Sequence, residues 1–295
     1  MRVALVVLLG LAACDGADGD TTIELRLDDF LVPTDETTYA CRRFELPADG
    51  PRDIVAFAPL VDGAQTVHHM ILYRVDAAID DGELCYPSPL DPWVVWGWAP
   101  GGEPLELPAG IGIAVDPARD SLVLQVHLNN PLGEAGLVER SGVELTLAEP
   151  REVRASVFGL GTVDDIAIPA GVADYPVRAT CSAATTAELL PEPVHVFASW
   201  LHAHEIATTL WTEQWRDGVR LGELGRADPY DFGHQRFVPL DVVVQPGDEL
   251  VTHCRFDSTS RAGPTLGGPS SQDEMCLDFL LYWPATDFGY CYDGP

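Results

Sequence analysis

Short apolar stretches separated by turn residues fill this chain, and no segment keeps a long helical period. Nine stretches have the length of single β-strands and are divided by turns rich in glycine, proline or aspartate. They are Thr22–Leu27, Val67–Val75, Ser121–Leu128, Gly142–Leu147, Arg154–Phe158, Val194–Trp200, Thr208–Trp215, Leu240–Val244 and Leu277–Trp283. With 27 glycines and 24 prolines in 295 residues, the chain is predicted to be all-β.

The length of the chain is that of about two domains of ordinary size. A polar junction that contains proline, Leu147 to Glu152, lies near the middle. We therefore expect two β-sandwiches in tandem, over residues 22–149 and 150–295. Within the second, Asp217-Gly218 predicts the turn of a β-hairpin.

Charge excludes one large class of function. The chain has 46 acidic and 17 basic side chains, which gives a formal net charge of −29. A protein that binds the nucleic-acid backbone needs a basic surface, so no nucleic-acid partner is expected. The same charge disfavours electrostatic docking on anionic lipid.

The N-terminus has the pattern of an export signal. An apolar run over residues 3–13 follows Arg2, and it is too short to span a bilayer as a mature helix. The run ends in Leu11-Ala12-Ala13-Cys14, which resembles a bacterial lipobox with Cys14 as the lipidated residue. Residues 1–14 are thus predicted to be a signal peptide with its lipobox, and residues 15–21 a flexible tether. The mature protein would be anchored by lipid in the periplasm or at the cell surface. The alternative is an ordinary secretory signal with a chance cysteine.

Cysteine usage agrees with export. Six cysteines remain besides Cys14, and an even number in an oxidising compartment indicates disulfides. Six cysteines allow 15 pairings, among which the sequence does not choose. If the two domains are separate, Cys41 must pair with Cys85, because these are the two that precede residue 150.

Histidines form the candidate metal ligands. His202 and His204 point to one face of a strand, where two neighbouring imidazoles can hold a metal ion. Adjacent His68 and His69 point to opposite faces of a regular strand, so they share a metal only if the backbone bulges or turns there. His127 taken alone is more often a structural residue.

The kind of metal stays open at this point. Imidazole suits zinc, copper, iron and nickel alike. Met275 adds a soft thioether that prefers Cu(I), although a single methionine at the start of an apolar strand also serves as a core filler.

Four motifs in order resemble one known family. They are His68-His69-Met70, Gln125-Val126-His127, His202-Ala203-His204 and Glu274-Met275-Cys276. Together they resemble the copper type II, ascorbate-dependent monooxygenases, which include peptidylglycine α-hydroxylating monooxygenase and dopamine β-monooxygenase. The resemblance runs from about Cys41 to the end of the chain and implies two jelly-roll-like β-sandwich domains, each binding copper.

The resemblance assigns roles residue by residue. It implies that a first, electron-storing copper is held by His68, His69 and His127. It implies that a second copper, where O₂ binds and the substrate is attacked, is held by the catalytic residues His202, His204 and Met275. Ascorbate or a similar one-electron donor would reduce both ions. The disulfides that it implies are Cys41–Cys85, Cys181–Cys291 and Cys254–Cys276.

Departures from the family pattern concern the substrate. Trp200 stands where the peptide-hydroxylating members carry an arginine for the substrate carboxylate, and Leu277 and Phe279 replace asparagine and tyrosine. These three residues predict a pocket for a small apolar or aromatic substrate that is hydroxylated at a C–H bond. The alternatives are a copper-binding lipoprotein without catalysis, for sequestration or delivery, and a zinc-supported sandwich that binds a partner.

Overall fold

The computed structural model describes residues 19–63, 65–76, 78, 85 and 93–294. The predicted signal segment 1–14, with Cys14, and residues 15–18 of the predicted tether lie outside this part. Nearly all regular structure in it is β, which confirms the all-β prediction. None of its helices is long and apolar enough to cross a membrane.

The first half of the chain folds into two main sheets. Its strands are β1 (Thr21–Arg26), β2 (Phe30–Leu31), β3 (Thr37–Glu45), β4 (Arg52–Leu60), β5 (Val67–Asp76), β6 (Trp93–Trp98), β7 (Leu105–Glu106), β8 (Ile111–Val115), β9 (Asp120–Asn129), β10 (Val138–Glu139), β11 (Gly142–Ala148) and β12 (Val153–Arg154). One sheet has the order β1-β11-β4-β8-β12, with β7 beside β4, and the other has the order β3-β9-β5-β6. Strands β10 and β2 form a small separate pair. Both main sheets contribute to one apolar core, for example through Phe57 and Leu124, as in a β-sandwich.

The second half repeats this architecture. Its strands are β13 (Ser156–Thr162), β14 (Ala167–Ile168), β15 (Tyr175–Cys181), β16 (Val194–His202), β17 (Ala207–Arg216), β18 (Val219–Ala227), β19 (Val238–Val244), β20 (Glu249–Phe256), β21 (Thr265–Leu266), β22 (Cys276–Trp283) and β23 (Tyr290–Cys291). The main sheets have the orders β19-β16-β22-β13-β23 and β15-β20-β17-β18, and β14 pairs with β21. Two further clusters of buried apolar residues fill this half.

Local sequence explains several of these elements. Asp217 and Gly218 join β17 to β18 with φ angles of 51° and 74°, as the predicted two-residue hairpin turn requires. The one α-helix of the described residues, α1 (Ala183–Leu189), begins after Ser182, whose hydroxyl accepts a hydrogen bond from the N–H of Thr185.

The predicted strands agree with the structure. Eight of the nine stretches coincide with single strands to within two residues at each end. The ninth, residues 154–158, is divided between β12 and β13, because the chain crosses there from one half to the other. β12 pairs in parallel with β8 of the first half, so the division at 149/150 stays a proposal.

A buried carboxylate fixes the segment that connects the halves. The side chain of Asp53 has no exposed surface. It accepts a hydrogen bond from the N–H of Arg151 at 2.7 Å and forms an ion pair with the guanidinium of Arg154. Further along, the N–H of Ala285 donates to the carbonyl of Arg154 at 2.7 Å. These contacts fix the path of residues 151–154 between the two sandwiches.

A second contact joins the halves through a tryptophan. The indole of Trp200, on β16, lies against Gly97 of β6, where a Cβ atom would come within 2.2 Å of the ring. Only 2% of Trp200 is exposed. Glycine at position 97 is therefore what lets the indole reach the backbone of the first half.

Each of three disulfides joins two cysteines of the same half. The structure contains Cys41–Cys85 in the first half, and Cys181–Cys291 and Cys254–Cys276 in the second. These are the same pairs that the family resemblance implies. Disulfides persist in oxidising compartments, so their presence agrees with an exported protein.

Candidate metal centre

The first histidine set lies on two neighbouring strands, β5 and β9. In their ladder Val67 is opposite Leu128 and His69 is opposite His127, so the register shifts by one residue at His68. This irregularity is the bulge that adjacent histidines need in order to act on one side of a sheet. The bulge therefore allows the side chains of His68 and His69 to point toward the same position.

The three imidazoles converge through their Nδ1 atoms. The Nδ1 atoms of His68 and His69 are 3.0 Å apart, those of His68 and His127 are 3.2 Å apart, and those of His127 and His69 are 3.4 Å apart. Nitrogen ligands at about 2.0 Å from one tetrahedral ion lie about 3.3 Å from one another. The three side chains are at most 6% exposed. Their arrangement therefore fits a single small metal ion.

Tyr39 connects this set to the second half of the chain. Its ring stacks on His127, with 4.5 Å between the ring centroids and 13° between the planes. Its hydroxyl donates a hydrogen bond of 2.6 Å to the carbonyl of Pro269. The stack restricts the orientation of the His127 ring. The hydrogen bond restricts the position of the second half relative to Tyr39.

The second histidine set lies where β16 ends. His202 is the last residue of that strand and His204 follows it, with the two ring centroids 5.4 Å apart. Between them, the N–H and carbonyl of Ala203 both bond to the hydroxyl of Tyr230, at 3.0 and 2.5 Å. The backbone is thus held in a fixed conformation at the point where the two imidazoles leave it.

In the rings of His202 and His204, hydrogen bonds determine which nitrogen is free to bind a metal. Nδ1 of His204 donates to the carbonyl oxygen of Asp273 at 3.0 Å. Nδ1 of His202 donates to Oε1 of Gln235 at 2.9 Å, and the amide nitrogen of Gln235 is engaged with the carbonyl of Phe232. Because these acceptors hold a proton on Nδ1, the lone pair of each ring lies on Nε2. Within the described residues, Nε2 of His204 is buried and has no hydrogen-bond partner.

Glu274 ties the methionine segment to this set. Its buried carboxylate accepts hydrogen bonds from the N–H groups of His204 and Ile206, both at 2.8 Å. Burial raises the pKa of Glu274 to about 7. Met275, which is half-buried, follows directly and precedes β22, where Leu277 lies opposite His202. The structure thus brings Met275 to the end of β16 at which the two histidines lie.

The two histidine sets face each other across the boundary between the halves. The ring centroids of His69 and His202 are 5.2 Å apart, and those of His68 and His204 are 6.1 Å apart. The sequence predicted two separate sites in separate domains, and it contained no signal for this proximity.

Burial keeps these imidazoles neutral. It lowers the pKa of His127 and of His204 to about 3 and that of His202 to about 4, with a smaller lowering contribution from neighbouring histidines at His127 and His204. The pKa values of His68 and His69 are lowered well below the ordinary value of 6.5, by burial first and by the other rings second. At neutral pH each ring therefore keeps a lone pair, the form in which histidine binds a metal.

The predicted substrate pocket is packed in this structure. The rings of Trp200 and Phe279 are 5.5 Å apart, and Trp200 also lies near Phe237. Leu277 is 8% exposed. The surroundings are apolar, as the sequence indicates, but the indole of Trp200 itself fills the space against Gly97.

Among the residues around the histidines that the sequence did not mark as site residues are Tyr39, Gln235, Glu274 and Phe232. Glu274 belonged to the motif Glu274-Met275-Cys276 without a role of its own. The other three reach the site through the tertiary fold, and no local pattern marks them.

Two domain descriptions of one family match the chain in tandem. "Copper type II ascorbate-dependent monooxygenase, N-terminal domain" matches residues 23–135, and the C-terminal domain of the same family matches residues 153–294. The chain belongs to this family. The unmatched interval between the domains, residues 136–152, contains the predicted junction.

Relatives of the family are about 30% identical to this chain over the part that aligns with it. DBH-like monooxygenase protein 1 of Homo sapiens is 31% identical over 90% of this chain and 48% of its own length. Dopamine beta-hydroxylase of Equus caballus is 34% identical over 92% and 48%. Tyramine beta-hydroxylase of Caenorhabditis briggsae is 30% identical over 88% and 48%. The chain thus spans about half the length of these relatives.

Proposed function

We propose that this chain is a copper-dependent monooxygenase that hydroxylates a C–H bond of a small molecule. One atom of O₂ enters the C–H bond and the other leaves as water, with two electrons and two protons taken up. Ascorbate or a similar one-electron donor supplies the electrons, one for each of two copper ions. The convergence of three neutral Nδ1 atoms opposite the second histidine set, in a chain of this family, is the observation that carries the proposal.

The donor atoms fit copper at both places. His68, His69 and His127 would hold one ion through Nδ1, and all three rings are neutral at pH 7. The second ion would be held by Nε2 of His202, Nε2 of His204 and the sulfur of Met275. An all-imidazole set supports cycling between Cu(II) and Cu(I), and a thioether favours Cu(I). When bound, copper supplies the one-electron storage and the O₂ activation that side chains lack.

The protein residues position the site and keep water out of it. Gln235 and the carbonyl of Asp273 fix the orientation and the tautomer of His202 and His204. Glu274 holds the backbone of His204 beside the segment of Met275. The five imidazoles are at most 6% exposed, so the reaction space between the sets is shielded from solvent.

We propose a small apolar or aromatic substrate. Trp200, Leu277 and Phe279 provide apolar surface beside His202, where a carboxylate-binding arginine stands in the peptide-hydroxylating members of the family. Without that cation, the site lacks the charge-assisted bonds that bind a carboxylate. Dopamine and tyramine, named for two relatives, are molecules of this aromatic class.

Export and lipid anchoring complete the proposal. The sequence Leu11-Ala12-Ala13-Cys14 supports attachment of the mature protein to a bacterial membrane through lipid on Cys14. The three disulfides support an oxidising compartment.

Copper stoichiometry and O₂ uptake test the function together. The purified chain should bind two coppers, and both His127→Ala and His202→Ala should bind one. His253→Ala is the matched control, because this ring stacks on Trp211 and belongs to neither set; it should bind two. Ascorbate-dependent O₂ uptake, with formation of a hydroxylated product from a panel of small aromatic molecules, should occur in wild type and be lost in both site variants. Two bound coppers without product would favour copper sequestration or delivery.

A further inference from the structure

A turn of the second half covers the outer side of the histidine cluster. It comprises residues 230–235 and leads from β18 toward β19. Tyr230 attaches it to the backbone of Ala203, and Gln235 attaches it to His202. The N–H of Gln235 also donates to the carbonyl of Pro100, in the first half, at 2.9 Å. The turn therefore has contacts with both sandwiches and with one of the proposed copper ligands.

Phe232 is the residue of this turn that reaches both histidine sets. Its ring stacks on His68, with 4.0 Å between centroids and 28° between planes. It also lies 6.1 Å from the ring of His204, in an edge-on orientation. Phe232 itself is half-buried, so one side of this ring covers the cluster and another side faces solvent.

A surface cavity of about 160 Å³ lies where this ring meets the first half. His68, Phe232, Asn129 and Thr66 are among its lining residues. Asn129 and Thr66 also line a larger cavity of about 470 Å³. The two cavities share this wall, and Phe232 and His68 both line the smaller one.

We propose that Phe232 is the closing side chain of the access route to the histidine cluster. In the conformation seen, its ring blocks passage from the 160 Å³ cavity to the space between His68 and His204. Rotation of the ring, or displacement of the turn 230–235, opens that passage to small molecules. Gln235 couples the position of the turn to the orientation of His202. The inference that the passage admits O₂, an electron donor or a substrate rests on the proposed function. The inference that Phe232 closes the passage rests on the packing of its ring against His68.

Chemical labelling of the copper-free chain tests the closure without any enzymatic activity. Diethyl pyrocarbonate modifies accessible neutral imidazoles, and mass spectrometry gives a rate for each histidine. Phe232→Ala should label His68 about 2- to 10-fold faster than wild type, the change in opening expected from the loss of one aromatic contact. His253, which stacks on Trp211 outside this turn, should keep its rate. Phe44→Ala, which removes a half-buried ring near Arg42, is the matched control and should leave His68 unchanged.

A second variant and a measurement on the copper-loaded chain distinguish opening of the passage from a general loss of structure. Phe232→Leu retains apolar bulk but lacks a flat ring, so it should give an intermediate rate at His68. In the Cu(II)-loaded chain, Phe232→Ala should accelerate removal of copper by a chelator while the number of coppers bound stays at the wild-type value. Equal labelling of His68 in wild type and both Phe232 variants overturns the proposal. So does a parallel rise at His68 and His253, which would indicate unfolding.

Discussion

Replacing Asp278 by asparagine should remove a pH-dependent loss of stability from the copper-free protein. Asp278 has no exposed surface, and its Oδ1 accepts a hydrogen bond of 2.7 Å from Ser199. Its Oδ2 has no well-formed hydrogen bond among the described residues, and interaction with the hydroxyl of Thr212 offsets only part of the effect of burial on its pKa. Burial raises the pKa of this carboxyl from 3.8 to about 7, because the charged form is poorly solvated in the core.

The direction of the effect follows from the two pKa values. Below pH 3.8 the carboxyl is protonated in both the folded and the unfolded chain, and its contribution to stability is fully present. As the pH rises from 3.8 to about 7, the unfolded chain ionises first and stability is lost. A pKa difference of about 3 units, at about 1.4 kcal/mol per unit, corresponds to a loss of about 4 kcal/mol.

Urea denaturation of wild type and Asp278→Asn between pH 4 and pH 8 measures this loss. The asparagine keeps an acceptor for Ser199, but its amide nitrogen lies in an unpartnered position and costs about 1–3 kcal/mol at every pH. The difference in unfolding free energy should therefore shift toward the variant by about 4 kcal/mol from pH 4 to pH 8. Asp217→Asn, in the exposed hairpin turn, controls for the change in net charge. Parallel pH profiles for wild type and Asp278→Asn would refute the reasoning.

Four further variants test the metal centre and the anchor. Met275→Ile should keep a near-normal Cu(II) count but retain Cu(I) more weakly, and X-ray absorption should lose the copper–sulfur shell of the reduced wild type; a wild type without that shell contradicts the assignment. Gln235→Leu frees the Nδ1 proton of His202 and should weaken copper binding at the second set about 10-fold or more, whereas Gln235→Glu should keep it; equilibrium dialysis measures both. Cys14→Ser should move the protein from the detergent phase to the aqueous phase on partitioning, and no shift would argue against lipidation.

Much of the fold could be predicted from local sequence, because β-strands and their turns have characteristic short sequence patterns. The Asp217-Gly218 turn and the apolar stretches specify strands and a hairpin without reference to the rest of the chain. The need for a bulge at His68 and His69 also followed from strand geometry, and the ladder of β5 and β9 has it. Strands such as β3 and β20 were not singled out, because charged residues such as Arg42 and Arg43 in β3 and Glu249 and Arg255 in β20 interrupt their apolar pattern.

The surroundings of the metal centre depend on packing between the halves, which no local pattern encodes. Gln235 and Phe232 lie on an irregular turn, and their contacts exist only when that turn lies against Pro100 and His68. Trp200 was predicted to line a pocket because of its position before His202. The sequence does not reveal that Gly97, about a hundred residues earlier, leaves room for its ring.

The contact of Trp200 with Gly97 has a consequence for building hybrid proteins from this family. An indole that touches bare backbone has no tolerance for a larger residue at the opposite position, because even a methyl group there would overlap the ring. A first sandwich taken from a relative with any side chain at position 97 would hold the two histidine sets apart. Positions 97 and 200 therefore need to be exchanged as a pair whenever the halves of two such proteins are recombined.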